Sequence, residues 1–269
     1  MKFIKSLALL MISLLLTMTT FQLVNATVID EPDCLIMYKS GKYIYYISEG
    51  TGTNKIIKYN TKTEKKKVLL SSKLKNYETQ RFTSITGKGK YIYFSWDRAK
   101  KGELYENEYI YRMTKGGKEI KRLGAGRDVV IQGNRIYYNK NKKIKENGRI
   151  VTEHTEKHYS MKLDGSDKRK EKNVKIKARS GGGYEMASFR TVTKGKYICV
   201  MDMNSFGIIN KNTRKEKKIM SFDKKDRCID FYVSKDYVMF RKTRGKYLYA
   251  YIVNINGKAL KRLYKVKLY

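Results

Sequence analysis

The sequence is poor in the residues that most enzyme chemistry needs. Three cysteines in 269 residues are too few for a disulfide scaffold or a cysteine-rich zinc module. Only two histidines occur, His154 and His158, four apart in one segment. A Ser-His-Asp arrangement would need a serine brought to that one place, and no G-x-S-x-G nucleophile elbow exists anywhere. Acidic residues number 25 against 60 Lys and Arg. Beyond the N-terminus no stretch is long and apolar enough to span a bilayer. Helical periodicity of 3.6 residues is also missing, which excludes TPR and HEAT solenoids. What the chain does have is 41% hydrophobic and 12% aromatic residues. That is enough for a core and too aromatic for a disordered basic tail.

Residues 1–26 read as a secretory signal peptide. Lys2 and Lys5 form a basic start, an apolar stretch covers 7–16, and Val24-Asn25-Ala26 supplies small residues for cleavage after Ala26. A retained anchor over 6–24 is the rival reading, and the polar Thr17, Thr19, Thr20 and Gln22 argue against it. Cleavage removes two lysines and leaves a net charge of +33 on residues 27–269, with no transmembrane helix. The expected location is secreted or at the cell envelope, which moves nuclear, ribosomal and chromosomal roles down the order.

One phrase organises the rest. Gly41-Lys42-Tyr43-Ile44-Tyr45-Tyr46 returns as Gly89-Lys90-Tyr91-Ile92-Tyr93-Phe94, Gly133-Asn134-Arg135-Ile136-Tyr137-Tyr138 and Gly195-Lys196-Tyr197-Ile198-Cys199-Val200. Lys235-Asp236-Tyr237-Val238-Met239-Phe240 is a degraded fifth copy. The starts lie 48, 44, 62 and 40 residues apart. A short apolar run precedes each phrase (Leu35-Ile36-Met37, 82–85, Val129-Val130-Ile131, 189–192, 229–233). A second β-rich run follows it, then a polar turn such as Lys115-Gly116-Gly117 or Asp164-Gly165-Ser166. Gly, Asn and Asp stand where turns need positive φ. A lysine-rich strand closes the unit at 65–70, 118–123, 215–220 and 258–263. Four short strands repeating at about 45 residues are the footprint of a β-propeller blade. The expected fold is therefore all-β, a single propeller domain over 27–269 with five four-stranded blades and room for a sixth. An insertion at 139–158 in the third blade is read as a long hairpin or a loop. Gly181-Gly182-Gly183 reads as a linker, since it matches neither a P-loop nor a G-x-G-x-x-G pattern and opens no helix.

Ile136-Tyr137-Tyr138 followed by Leu163-Asp164-Gly165-Ser166, with Tyr93-Phe94-Ser95-Trp96 similar to a YWTD phrase, resembles bacterial secreted propellers. These are related to the YWTD-type propellers of the LDL receptor and, more distantly, to TolB-type propellers. The resemblance covers nearly all of 27–269 and rests on short structural motifs. It implies six blades as the norm and no particular chemistry.

Residues that could carry chemistry are few. His154 and His158, with Glu153 and Glu156, have a spacing open to a metal. However, Thr155 stands where H-E-x-x-H needs glutamate, and the surrounding lysines oppose a cation. No metal, cofactor or catalytic set is expected. Carboxylates at strand ends, Asp97, Asp128, Asp202 and Asp236, are the candidates for an alternative function as a glycan hydrolase. Cys199 reads as a small buried hydrophobe. Cys34 and Cys228 precede the first strands of the first and last blades, so a Cys34–Cys228 disulfide would fasten the propeller's seam after export.

Charge is the strongest functional signal. Lysines outnumber arginines 45 to 15, which suits general attraction better than bidentate recognition. Many lie on the fourth strand of each unit, where lysine blocks edge-to-edge pairing. The remainder favours polyanions. Trp96, Arg98, Lys100 and Lys101 are read as an aromatic-plus-basic loop after the second strand of blade two, where propeller faces bind, suited to stacking on a sugar or base while neutralising charge. The expected role is a non-catalytic binding module for an anionic cell-surface polymer or an acidic protein partner. Extracellular nucleic acid shares the charge argument but lacks a recognition motif.

Overall fold

The computed structural model describes residues 27–30, 36–48, 53–72, 77–100, 107–140, 142–146, 149–153, 158–171, 174–177, 189–202, 204–233 and 236–267. Among these residues the elements are all strands, and no helix is long and apolar enough to cross a membrane. β1 (Thr27–Asp30) precedes the repeats. Blade one is β2 (Met37–Ser40), β3 (Tyr43–Ser48), β4 (Lys55–Asn60) and β5 (Lys66–Ser71). Blade two is β6 (Tyr77–Lys88), β7 (Tyr91–Lys100), β8 (Asn107–Thr114) and β9 (Lys121–Ala125). Blade three opens with β10 (Arg127–Gln132) and β11 (Arg135–Asn139). The hairpin β12 (Lys142–Glu146) and β13 (Arg149–Glu153) comes next, and β14 (His158–Lys162) and β15 (Arg169–Lys170) close the blade. β16 (Val174–Lys177) follows. Blade four is β17 (Phe189–Lys194), β18 (Tyr197–Asp202), β19 (Ser205–Asn210) and β20 (Glu216–Ser221). Blade five is β21 (Asp226–Val233), β22 (Tyr237–Arg244), β23 (Tyr247–Asn254) and β24 (Lys261–Lys267).

Each blade is a four-stranded antiparallel sheet whose strands lie side by side in chain order, and the fold is a five-bladed, all-β propeller. The insertion in blade three folds as the β12–β13 hairpin, in register from Lys142↔Glu153 to Glu146↔Arg149. β1 joins no blade; it pairs in parallel with β16 and ties residues 27–30 to the stretch after blade three. The signal segment 1–26, Gly181-Gly182-Gly183, His154 and Cys34 lie outside the described residues.

The Ile-Tyr-Tyr phrase shows no apolar–polar alternation because a blade is covered on both faces by its neighbours. Ile44, Tyr45, Tyr46 and Ile47 are each at most 1% exposed. The fourth strands are the sheet edges, as the lysine pattern predicts: Lys66, Lys67 and Val68 of β5 are open to solvent. Two of these strands begin three residues later than the sequence suggests, at Lys121 and Lys261. The preceding turn takes up 118–120 and 258–260.

One core cluster joins blades five, one and two, with Met239, Ile252 and Leu263 packed among Ile44, Tyr46 and Ile56 and against Phe82, Ile92 and Phe94. A second joins blades four and five, where Phe206 stacks on Phe240 at 4.6 Å. The third joins blades two and three through Tyr93, Leu123, Ile136 and Met161. At the seam between the last and first blades Tyr46 stacks on Tyr264, with ring centroids 6.1 Å apart. Lys66 Nζ donates to the Leu263 carbonyl at 2.7 Å, and Lys261 pairs with Glu64 and Lys39 with Asp236 across the same seam. Since Cys34 is not described, the expected Cys34–Cys228 link is not part of this picture. Cys199 is free and fully buried, and burial pushes its thiol pKa up to about 12.

Turn geometry repeats with the sequence. Ser40 pairs with Tyr43, so Gly41-Lys42 is a two-residue loop; Gly41 has φ 56°, the type II′ arrangement with glycine first. Gly89-Lys90, Gly133-Asn134 and Gly195-Lys196 repeat it. In the turn before the fourth strand, Gly117 leans on Leu69 of blade one and Gly165 on Leu123 of blade two, so these turns also form blade-to-blade contacts.

Candidate functional site

Turns from first to second strand and from third to fourth strand lie at one end of the propeller. Bonds between blades tie them together there. Lys115 Nζ of blade two donates to Ser40 Oγ of blade one at 2.6 Å, and Lys88 Nζ reaches Gly133 O and Asn134 Oδ1 of blade three. The Lys39–Asp236 pair links blades one and five.

Aromatic rings and cations alternate at this end. In blades one, two and four the turn lysine directly precedes the first tyrosine of the second strand. Its Nζ lies over that ring: Lys42 is 5.5 Å from the Tyr43 centroid, Lys90 is 5.2 Å from that of Tyr91, and Lys196 is 5.6 Å from that of Tyr197. A cation from the third strand joins two of them, because the register places it on the same face. Lys58 is opposite Tyr45 and reaches the Tyr43 ring at 4.0 Å; Arg112 is opposite Tyr93 and reaches Tyr91 at 4.5 Å. Each tyrosine is half-buried, and each turn lysine is exposed.

Acids of these turns are bound to something else. Glu64 pairs with Lys261 and Asp236 with Lys39. Hydrogen bonds from Arg169 and Arg135 hold the Asp167 carboxyl down at about 2. Asp164 accepts from the Ser166 hydroxyl at 2.6 Å and from the Ser166 N–H at 2.9 Å, which keeps its carboxyl below the usual range. Among the described residues of these turns, Glu119 alone is an acid without such a bond. By contrast Lys42, Lys62, Lys90, Lys196 and Lys211 are exposed and pair with no acid among the described residues.

At the opposite end several described charges meet as pairs, whereas Lys55, Lys224, Lys225 and Lys246 are exposed with no acid partner among the described residues. Arg81 approaches Asp97 at 3.6 Å, Arg127 lies 3.1 Å from Asp128 and 3.4 Å from Glu108, and Asp226 sits between Lys242 and Arg244 at 2.8 Å from each. His158 Nδ1 is 2.7 Å from Asn139 Oδ1, and Asn139 Nδ2 donates to Asp128 at 3.2 Å. Asp202 accepts from the N–H groups of Asn204 and Ser205 at 2.7 and 2.6 Å. The four carboxylates singled out from the sequence are therefore engaged separately, with Asp236 at the tight-turn end and Asp97, Asp128 and Asp202 at the other. No group of three or more His, Cys, Asp or Glu able to hold a metal ion occurs among the described residues.

Trp96 and Arg98 come together as a stack on β7, with Arg98 Cζ 3.5 Å from the Trp96 ring centroid. Trp96 also packs on Phe82 at 5.2 Å and on Tyr111 at 5.5 Å, and its Nε1 is buried without a hydrogen-bond partner among the described residues. The Lys100 side chain and Lys101 are outside the described residues. The turn lysines were not singled out by sequence reasoning, although the signal was present in the repeated Gly-Lys-Tyr.

No protein-family model matches the chain, and no curated protein matches it in sequence. Solved structures resemble it distantly. TolB from Acinetobacter baumannii matches at 17% identity and TM-score 0.34, over 84% of this chain and 53% of that one. A structure of the nidogen/laminin complex matches at 10% identity and TM-score 0.36, over 87% and 79%. Oligogalacturonate lyase in complex with manganese matches at 9% identity and TM-score 0.34, over 82% and 61%. The chain spans about half the length of that TolB chain. Its fold stands on its own five sheets and their repeated sequence.

Proposed function

We propose that this protein is an exported, non-catalytic binding module that engages an anionic polymer of the cell envelope through one face of its propeller. The observation that carries this reading is the set of exposed lysines without acid partners, Lys42, Lys62, Lys90, Lys196 and Lys211, on a chain of net charge +35. Cations without local counter-charges set up a field that gathers polyanions, and salt weakens it because the groups are in water. Edge protection accounts for a different set of lysines, those of the fourth strands such as Lys66, Lys67 and Lys217.

The test is binding of the purified protein to cell walls with and without their anionic polymers, across a salt series. The reading expects binding that disappears when the polymers are stripped and weakens steeply with salt. Binding that survives stripping, or no binding to intact walls at low salt, overturns it.

A further inference from the structure

We infer that the binding face is the end of the propeller carrying the first-to-second-strand turns, and that its ligand is a linear polyanion of spaced phosphodiesters without stacking bases. This inference rests on the reading of the protein as a polyanion-binding module.

The turn itself does not ask for lysine. Gly133-Asn134 has the same geometry as Gly41-Lys42, Gly89-Lys90 and Gly195-Lys196, with the glycine at φ 56° in all four. Asparagine therefore fills the second loop position as well as lysine does. Three of these four turns nonetheless place a cation there, exposed and without an acid partner among the described residues; at the opposite end the Gly245-Lys246 turn does so once. Lys62 and Lys211 add two more from the turns before the fourth strands of blades one and four. The described contacts run from blade four through five, one and two, so these cations belong to a connected arc of blades.

The chemistry of the arc selects among polyanions. Its unpaired cations are mostly lysines, compact point charges; Arg214, in the turn before β20, is an exposed exception, while Arg135 is bound to Asp167 and Arg112 to Tyr91 and the Leu163 carbonyl. Planar carboxylates favour the bidentate guanidinium fork, whereas singly charged phosphodiesters need only a point charge at intervals. Aromatic platforms for bases are also taken. Lys58 covers Tyr43, Arg112 covers Tyr91, and at the opposite end Arg98 covers Trp96. A single-stranded nucleic acid gains much of its affinity from stacking on open rings, and at this end neither Tyr43 nor Tyr91 is open.

The experiment measures affinity of the purified protein for poly(glycerol phosphate), poly(U) and polygalacturonate over a salt series. It compares the triple variant Lys42→Gln, Lys90→Gln, Lys196→Gln with an opposite-end control, Lys55→Gln, Lys224→Gln, Lys246→Gln, which removes the same charge from exposed lysines. Thermal unfolding confirms that both are folded. For poly(glycerol phosphate), the turn variant is expected to lose about tenfold or more in affinity at low salt and to lower the log–log salt slope by about two. The opposite-end control is expected to lose about threefold or less. Equal losses in both variants overturn the choice of face while leaving polyanion binding in place. Tighter binding to poly(U) or polygalacturonate overturns the ligand class. Failure of the unaltered protein to bind any of the three removes the functional reading itself.

Discussion

Three glycines of this propeller are predicted to resist substitution for three different reasons, and alanine separates them. At Gly41 an added Cβ meets nothing within 4 Å, but φ is +56°. Alanine there pays the left-handed cost of about 1–2 kcal/mol, partly offset by about 0.4–1 kcal/mol from a less flexible unfolded chain. The net loss is about 1 kcal/mol. Gly87 has no positive φ, yet its Cβ would lie 2.4–2.9 Å from three ring carbons of Tyr38 in the adjoining blade. Overpacking of that kind costs about 1–3 kcal/mol, and this contact belongs at the upper end. Gly117 combines both effects, with φ +87° and Leu69 Cβ, O and Cα at 3.2–3.3 Å; about 2–4 kcal/mol follows. Urea unfolding of the three variants gives the order, provided the m value is unchanged. Double mutants then test the geometry. Tyr38→Leu removes the ring carbons that Gly87→Ala strikes, so that pair should couple by about 1 kcal/mol or more. Leu69→Ala leaves Cβ, Cα and O in place, so it should rescue Gly117→Ala hardly at all. Equal losses at Gly41 and Gly87, or no coupling between Gly87 and Tyr38, would refute the reasoning.

Tyr46→Phe should stabilise the protein by about 1 kcal/mol, because the Tyr46 hydroxyl is buried without a partner among the described residues and loses its hydration on folding; a lower melting temperature would contradict this. Stability should fall as pH rises above 10. Burial raises Tyr45 from 10.0 to about 12 and also raises Tyr46, Tyr59, Tyr93 and Tyr138. Below pH 10 these phenols are neutral in both states; above it the unfolded chain ionises first, so stability is lost progressively as pH climbs through the folded pKa values. Urea midpoints measured alongside tyrosinate absorbance check this, and a midpoint that stays level well above pH 10 would count against it. Cys199 should resist alkylation in the native protein at neutral pH and react only at the rate of unfolding, given its full burial and its pKa of about 12; peptide mapping that finds it labelled at once would show an open path to the thiol.

The repeat made the blades legible because the second strands are largely apolar and covered by neighbouring blades, and four of the five first turns hold glycine at a fixed place. Edge lysines were equally readable, since an unpaired strand edge has one inexpensive defence. The last turn of every blade was harder. A residue with positive φ stands just before each fourth strand, and it is Glu64, Glu119, Asp167, Arg214 or Ala259. Only Asp167 is of a kind expected there. These turns are set by the strand pairing on either side and carry a side chain that composition does not flag, so the fourth strands of blades two and five were placed three residues early. The β1–β16 pair was also hidden, because four residues of Thr-Val-Ile-Asp give no hint of a partner about 150 residues away.

The candidate site divides along the same physical line. Trp96 and Arg98 drew attention as an aromatic next to a cation, and on β7 that proximity closes into a stack packed against Phe82 and Tyr111. A single tryptophan in a propeller strand has more apolar surface to bury than a face residue needs to show. The Lys42, Lys90 and Lys196 positions drew none, because each is one residue of a phrase whose tyrosine and glycine have evident structural duties. What sets these lysines apart is not their type, which the chain uses everywhere, but the acids near them, which are occupied by Lys39, Arg135, Arg169 and Lys261. Pairing of that kind depends on which turns meet across blade seams. It becomes visible only when the sheets are assembled, and it separates cations without an acid partner among the described residues from those that the fold itself consumes.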